Sequence, residues 1–263
     1  MRNPFFLEEI APDGVARITL TRVEVHNAFN DELIAQLTST LESLEEDERV
    51  RVVVLAAKGR SFSAGADLNW MKAMAGYAES ENLEDARGLA DLMRTLSELS
   101  KPTLALVQGA AFGGGVGLVA CCDIAIASED ASFCLSEVRL GLIPSVISPY
   151  VIAAMGQRAA RRYFLTAERF AAGEAYRLGL VHEVVPAEDL ETRGQRLCQV
   201  LLAGGPIAQS ESKDLIFAVS NRPVDDELVE DTAKRIARLR KSPEGREGVN
   251  AFLEKRKPDW AQD

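Results

Sequence analysis

The chain has 263 residues, of which 47% are hydrophobic and 27% are charged, as in ordinary globular proteins with a sizeable core. Its formal net charge of -10 argues against a nucleic-acid-binding protein, because no excess of basic residues is available to neutralise phosphates. The N-terminal segment has no long apolar run and soon becomes acidic, so the sequence predicts neither a signal peptide nor a membrane span.

Cysteine usage indicates a reducing compartment. The four cysteines do not have the spacing of a zinc site, and an adjacent pair in an apolar helix cannot easily form a disulfide; they are Cys121, Cys122, Cys134 and Cys198. Buried, reduced thiols are therefore expected, which predicts a cytoplasmic protein without a structural metal.

The first part of the chain alternates predicted strands and helices. Residues 5–22 are typical of a β-hairpin around a Pro-Asp-Gly turn at 12–14. Asn30 or Asp31 can cap a helix that runs to about Glu46, with apolar residues at helical spacing. The segment 51–56 is almost wholly apolar and predicts a strand buried on both faces, followed by a small-residue loop at 63–67.

The stretch 103–123 combines an apolar strand, three consecutive glycines and an apolar helix. Gly113, Gly114 and Gly115 allow a tight turn and a close approach of another molecule to the backbone. The start of the following helix offers free N–H groups, which would suit an oxygen that gains negative charge during a reaction. The alternative is a turn that serves packing alone.

The second part of the chain begins with strands and ends with helices. Residues 123–128 and 132–142 alternate as strands, and from residue 147 the pattern is mostly helical. Helical blocks are expected at about 206–220, 225–241 and 244–256. Glu137 lies in the predicted strand 132–142 among apolar neighbours, where lost solvation would raise its pKa and make it a plausible proton carrier. Taken alone, Glu137 also fits a solvated strand residue.

Several short motifs together resemble the enoyl-CoA hydratase/isomerase (crotonase) superfamily. They are HNAFN, SFSAGADL, VQGAAFGGGVGL, CDIAIAS, SFCLSEVRLGLIP, AGEAYRLGLVHEVV and FLEKRKPDW, in that order from the hairpin to the end of the chain. The resemblance implies an α/β fold with a spiral core of ββα turns, residues 1–200, that binds acyl-CoA. It also implies a C-terminal helical region, residues 201–263, that builds homotrimers, often paired into hexamers.

The same resemblance implies the chemistry of the site. The backbone N–H groups of Ala64 and Gly114 would form an oxyanion hole for the thioester oxygen, and Glu137 would transfer the proton. CoA is part of the substrate, so no metal or redox cofactor is needed. Residues similar to the family's cradle for the adenine end of CoA are Val25, His26, Ala28, Ala66 and Asp67.

Four further residues in the pattern have a structural reading beside the functional one. Lys255 and Lys257 resemble residues that reach CoA phosphates from another subunit, although a solvated basic tail explains them nearly as well. His26 could be mistaken for a catalytic base, but it lies in the nucleotide part of the pattern. Asp123 lies where the family has a buried structural aspartate, so no catalytic role is predicted for it.

The sequence departs from the family's hydratases at one of their two catalytic glutamates. The first of these glutamates corresponds to Gly117, and the glycine-rich run after Ile-Pro is replaced by residues 145–148. Water would then need another partner, for which Ser145, Ser148 and Tyr150 are guesses. An enoyl-CoA delta-isomerase needs only Glu137 as base, so the departure favours an isomerase.

Other segments favour a hydratase, that is, a lyase. NWM after GADL, VGLVACCDIAIA and SEVRLGLIPSVISPYVIAAMG resemble bacterial proteins assigned as methylglutaconyl-CoA hydratases of leucine and isovalerate degradation, which share the glycine at 117. Arg139, predicted on the same strand face as Glu137, could bind a distal carboxylate or form an ordinary salt bridge. The sequence therefore predicts hydration of a branched 2-enoyl-CoA such as 3-methylglutaconyl-CoA, with Gly117, Arg139 and Ser145 near the acyl group. An RNA-binding relative without catalysis is the alternative from another class.

Overall fold

The computed structural model describes residues 3–261. Its strands are β1 (Phe6–Ile10), β2 (Val15–Leu20), β3 (Val52–Ala57), β4 (Ser61–Ser63), β5 (Thr103–Val107), β6 (Ala110–Phe112), β7 (Ile124–Ser128), β8 (Ser132–Cys134), β9 (Phe170–Ala171) and β10 (Glu183–Val185). Its α-helices are α1 (Asp31–Glu46), α2 (Leu68–Met74), α3 (Glu79–Glu98), α4 (Gly114–Cys121), α5 (Ser148–Thr166), α6 (Ala172–Leu178), α7 (Leu190–Leu202), α8 (Pro206–Val219), α9 (Asp226–Lys241) and α10 (Pro243–Glu254).

The strands of the core form two separate sheets. The larger sheet has the order β1-β2-β3-β5-β7-β10 and is parallel apart from the hairpin pair β1-β2. The smaller sheet has the order β4-β6-β8-β9. In three successive units, β3-β4, β5-β6 and β7-β8, the first strand joins the larger sheet and the second joins the smaller one before the chain becomes helical. This repeat is the predicted ββα spiral.

The predictions for the first 57 residues are confirmed. The hairpin pairs Phe6 with Leu20, and the side chain of Asn30 caps α1 by accepting a hydrogen bond from the Leu33 amide. The strand β3 is buried on both faces, since Val53 packs in the main core and Val54 in a second apolar cluster. An all-apolar sequence suits such a central strand because neither face meets water.

The prediction of a strand over 132–142 is wrong. The strand β8 stops at Cys134, and Glu137 instead opens a 3-10 helix, Glu137–Leu140, that ends at Gly141 with a φ of 71°. The amide of Gly141 donates to the carbonyls of Glu137 and Val138, which closes this helical turn. Alternating apolar residues misled the strand prediction, because a 3-10 helix places residues i and i+3 rather than i and i+2 on one side.

The three predicted C-terminal helical blocks correspond to α8, α9 and α10, each within a few residues of its expected bounds. Polar contacts join this region to the core: the Arg51 guanidinium donates to the carbonyls of Gly204 at 2.8 Å and Trp260 at 3.4 Å, and the Lys213 ammonium pairs with the Asp123 carboxylate at 2.9 Å. Asp123 therefore has a structural partner. Within residues 3–261, no helix combines the length and the apolar character that a bilayer crossing requires.

Candidate active site

Backbone hydrogen bonds join the loop before α1 to the loop before α2. The Phe29 amide donates to the Gly65 carbonyl and the Asp67 amide donates to the Phe29 carbonyl, both at 2.7 Å. The Asn27 side chain, which the sequence reading missed, donates to the carbonyls of Lys58 and Ser61. These bonds fix the small-residue loop 63–67 beside the loop 22–29.

The amide that this loop offers to the cavity belongs to Ala66, so the assignment of Ala64 as an oxyanion donor is corrected. The Ala64 amide donates to the His26 carbonyl at 2.9 Å and is therefore already used. The Ala66 amide, in contrast, has no hydrogen-bond partner among the described residues, and Ala66 lines the cavity.

The second free amide comes from the glycine turn. Gly113 has φ and ψ of 50° and -119°, a conformation that favours glycine, and its amide donates to the Cys134 carbonyl. Gly114 is the first residue of α4, where the amide has no intrahelical partner, and it also lines the cavity. The N-terminus of α4 adds the positive end of the helix dipole at this position. Gly114 therefore offers an amide to the cavity, which is what its predicted role requires.

Glu137 places a buried carboxyl next to this turn. Its Oε1 lies 3.2 Å from the position that a β-carbon on Gly113 would occupy. Its Oε2 is buried without a hydrogen-bond partner among the described residues, and burial raises the pKa of the carboxyl above the ordinary 4.5. An unpaired buried carboxyl is costly, so such groups are often retained for chemistry.

A cavity of about 470 Å³ brings these groups together. Its lining includes residues of α2 and α3 and residues of the segment 136–147. Its lining is mainly apolar, with side chains from Phe29, Leu68, Trp70, Met71, Met74, Leu89, Leu140, Leu142, Ile143, Val146 and Ile147. An apolar cavity with a few convergent polar groups is typical of a small-molecule site.

Gly117 does not line the cavity, which corrects its assignment to substrate binding. A β-carbon at Gly117 would lie 2.3 Å from Cγ2 of Ile147 and 3.1 Å from Cε of Met93. Ile147 is 3% exposed and lines the cavity itself. The space of the family's first glutamate is therefore filled by an isoleucine that the sequence reading did not single out.

The other predicted acyl-site residues divide into two groups. Ser145 lines the cavity as predicted. Arg139 is exposed and lies outside the lining, because Glu137 and Arg139 share a 3-10 turn and not a strand face. Ser148 donates to the Ser145 carbonyl at 2.7 Å and is also outside the lining, while Tyr150 lines a different cavity beside Cys121.

The residues predicted to cradle CoA lie on the two joined loops. Val25 ends a short 3-10 helix, His26 follows with a φ of 55°, and Ala28 is buried next to Phe29. The His26 ring is exposed and its Nδ1 lies 3.1 Å from the Ser61 hydroxyl, outside the cavity that holds Glu137. Its position therefore does not suit a catalytic base. Lys255 and Lys257 follow the end of α10 on the surface.

Asp67 acts on the cradle through Arg22. Its carboxylate caps α2 by accepting from the Asn69 amide at 2.8 Å, and it pairs with the Arg22 guanidinium at 3.0 Å. The same guanidinium donates to the Ala28 carbonyl. Burial by itself raises the pKa of Asp67, but the hydrogen bonds from Asn69 and Arg22 outweigh it and hold the pKa below 3.8.

We expect Arg22→Met to destabilise the fold by about 3 kcal/mol at neutral pH, because it leaves the buried Asp67 carboxylate without its charged partner. The lowered pKa of Asp67 means that its stabilising contribution is present above 3.8 and is lost as the pH falls through the folded value. The loss in Arg22→Met should therefore shrink in acid. Urea unfolding at neutral pH and at a pH well below 3.8, where the Asp67 carboxylate becomes protonated, measures both effects.

Arg17→Met is the matched control for this prediction. The Arg17–Glu191 pair is more exposed, with side chains 29% and 51% accessible, so its loss should cost less than about 1 kcal/mol. Equal losses in the two variants would contradict the structural role given to Arg22 and Asp67.

Comparisons with known proteins find a matching family model, similar proteins and similar solved structures. The family model described as Enoyl-CoA hydratase/isomerase matches residues 11–263. The chain is 34% identical over 250 residues to 1,2-epoxyphenylacetyl-CoA isomerase of Escherichia coli, covering 94% of this chain and 95% of that one. It is 32% identical over 248 residues to 2,3-dehydroadipyl-CoA hydratase of Escherichia coli, covering 94% of each chain. The crystal structure of an enoyl-CoA hydratase from Shewanella pealeana superposes with a TM-score of 0.94 at 48% identity, covering 97% of this chain and 96% of that one. The chain belongs to the enoyl-CoA hydratase/isomerase family.

Proposed function

We propose that the chain is an enoyl-CoA hydratase that adds water to a branched 2-enoyl-CoA, with 3-methylglutaconyl-CoA as the first substrate to test. The observation that carries the proposal is that three groups without a hydrogen-bond partner among the described residues line one cavity: Oε2 of Glu137 and the amides of Ala66 and Gly114. Two fixed donors and one proton carrier are what enolate chemistry on a thioester needs.

In this proposal the amides of Ala66 and Gly114 donate to the thioester oxygen. When a bond forms at the β-carbon, negative charge moves onto that oxygen, and two fixed donors in a water-poor cavity stabilise it by ~3 kcal/mol each. Glu137 then protonates the α-carbon. Its raised pKa serves this step, because a larger fraction of the carboxyl carries a proton near neutral pH.

We propose that the CoA part lies along the joined loops. Backbone groups of Val25, His26, Ala28 and Ala66 would contact the adenine end, and Asp67 would hold the Ala28 loop in place through Arg22. Lys255 and Lys257 remain a prediction for the phosphates, made from a neighbouring subunit. Exposed apolar side chains on α8 and α10 support the predicted homotrimer or hexamer, among them Ile216, Phe217, Phe252 and Leu253.

The choice of 3-methylglutaconyl-CoA rests on the sequence resemblance. A relative that is named a 2,3-dehydroadipyl-CoA hydratase is consistent with a carboxylated acyl group. Among the described residues, the cavity lining contains no Lys, Arg or His to meet a distal carboxylate. A carboxylated substrate and its uncharged counterpart therefore need to be compared directly.

An enoyl-CoA delta-isomerase is the second candidate, and Ile147 is the observation that favours it. Because Ile147 fills the space of the family's first glutamate, Glu137 is the carboxyl that remains of the family's pair. Moving a double bond needs one base that removes a proton from one carbon and returns it to another. The relative named 1,2-epoxyphenylacetyl-CoA isomerase shows that isomerases also occur among the similar proteins.

Product analysis separates the two candidates. The enzyme is given 3-methylglutaconyl-CoA, 3-methylcrotonyl-CoA, crotonyl-CoA and a 3-enoyl-CoA, while the ultraviolet absorbance of the conjugated thioester and the product mass are recorded. Hydration predicts loss of absorbance with a mass gain of one water, fastest on 3-methylglutaconyl-CoA. A rise in absorbance with the 3-enoyl-CoA at constant mass, without hydration of any 2-enoyl-CoA, would identify the isomerase and overturn the hydratase proposal.

A further inference from the structure

A second carboxylate reaches the same cavity from its helical wall. The helix α3 contributes Asn82, Asp85, Ala86 and Leu89 to the lining, at the spacing of one helix face. Among the described lining residues, Asp85 and Glu137 are the two carboxylates. They belong to different elements, since Asp85 lies on α3 and Glu137 in the 3-10 helix 137–140.

The orientation of Asp85 is fixed by a neighbouring tryptophan. Nε1 of Trp70 donates to Oδ1 of Asp85 at 3.1 Å, and Trp70 is only 9% exposed. Trp70 lies on α2, which begins two residues after the free amide of Ala66. The elements that carry the oxyanion donor therefore also hold the Asp85 carboxylate, and Oδ2 has no hydrogen bond to the described residues.

The environment of Asp85 suits a group that exchanges protons. Burial raises the pKa of its carboxyl, the Trp70 N–H opposes this by favouring the charged form, and the nearby Asp31 raises it further. Among the described residues, no Lys or Arg is one of the groups that shift the pKa of Asp85. A carboxylate held by one neutral donor remains able to accept a proton.

We propose that Asp85 is the second acid–base carboxylate of this cavity, replacing the family's first glutamate, which Gly117 and Ile147 exclude here. This inference rests on the proposed hydratase function. Of the three residues considered above as partners for the water, Ser148 and Tyr150 lie outside the cavity, and Ser145 lines it with an un-ionised hydroxyl, which is a much weaker base than the Asp85 carboxylate. The site would take a 2-enoyl thioester whose β-carbon is approached by the water that Asp85 holds, while Glu137 faces the α-carbon.

The step balances with these two carboxyls alone. Asp85, ionised, takes a proton from water as the water oxygen bonds to the β-carbon. The electrons of the C=C bond move to the thioester oxygen, held by Ala66 and Gly114, and return as the α-carbon takes a proton from Glu137. Asp85 ends protonated and Glu137 ionised, and proton exchange with solvent restores both.

Asp85→Asn separates this role from that of Glu137. Exchange of the α-hydrogen of a saturated acyl-CoA with D₂O needs only Glu137 and the two oxyanion donors. Hydration needs Asp85 as well. We expect hydration to fall at least ~100-fold while α-hydrogen exchange stays within about threefold of wild type. Glu84→Gln is the control, because Glu84 is the exposed neighbour on α3 and should change neither rate.

Asp85→Glu keeps the proposal falsifiable if Asn disturbs the fold. If Asp85 is a catalytic carboxylate, Asp85→Glu should hydrate the substrate faster than Asp85→Asn. If its role is purely structural, the isosteric Asp85→Asn should retain the higher rate. Hydration by Asp85→Asn near the wild-type rate, or equal losses of hydration and exchange, would overturn the assignment. A wild-type enzyme that hydrates no 2-enoyl-CoA would instead refute the proposed function on which the inference rests.

Discussion

Glu137→Gln is expected to lower turnover by a factor of ~10³ while leaving the affinity for an unreactive acyl-CoA within about threefold. Glutamine has nearly the same shape, so the packing against Gly113 is preserved, but it has no proton to transfer. The loss should appear in kcat and not in KM, because the interaction matters in the transition state. Steady-state kinetics and calorimetric titration with the unreactive thioester measure the two quantities.

The control for this variant is Glu129→Gln, an exposed glutamate just after β7 that should leave both quantities unchanged. Substantial residual turnover in Glu137→Gln would refute Glu137 as the proton carrier. A loss of binding equal to the loss of turnover would mean that Glu137 shapes the cavity and does not act on the reacting carbon.

Gly114→Ala is expected to lower kcat/KM by about 100-fold, although alanine adds only one methyl group. The new β-carbon would lie 2.6 Å from Cε2 of Phe29, whose ring is 1% exposed and has little room to move. The backbone must shift instead, which displaces the amide that donates to the thioester oxygen. Kinetics on the most rapidly used substrate measure the loss, and urea unfolding confirms that the variant is folded.

Gly173→Ala is the matched control. A β-carbon there meets nothing within 4 Å, so the variant should keep both its activity and its stability. If Gly114→Ala were as active as Gly173→Ala, the amide of Gly114 would not be an oxyanion donor.

Local patterns in the sequence predicted much of the fold correctly. The strand β3 consists of apolar residues because both of its faces are buried, and α1 begins where Asn30 can cap it. These features depend on residues near in sequence, so they can be read without the tertiary structure. The spiral arrangement, in contrast, was inferred from the motifs that resemble the crotonase superfamily.

The predictions for the site were wrong where the orientation of a backbone amide or the packing of residues distant in sequence determines the role of a residue. Ala64 and Ala66 are equally small, and only the hydrogen bond from Ala64 to His26 reveals which amide is free. Nothing in the sequence near Gly117 indicates that Ile147, thirty residues later, fills the adjacent space. Asp85 lies in an acidic helix among exposed glutamates, and only its contact with Trp70 and the cavity distinguishes it.

The most direct test of the account is the exchange of the α-hydrogen of a saturated acyl-CoA in D₂O, followed by mass spectrometry for the wild type and Glu137→Gln. This reaction needs the proton carrier and the oxyanion donors but no water addition, so it does not depend on the acyl group being the natural one. If Glu137 is the proton carrier, the wild type should take up deuterium steadily and Glu137→Gln should take it up only at the uncatalysed rate. Uptake by Glu137→Gln at the wild-type rate would show that another group moves the proton and would contradict the account.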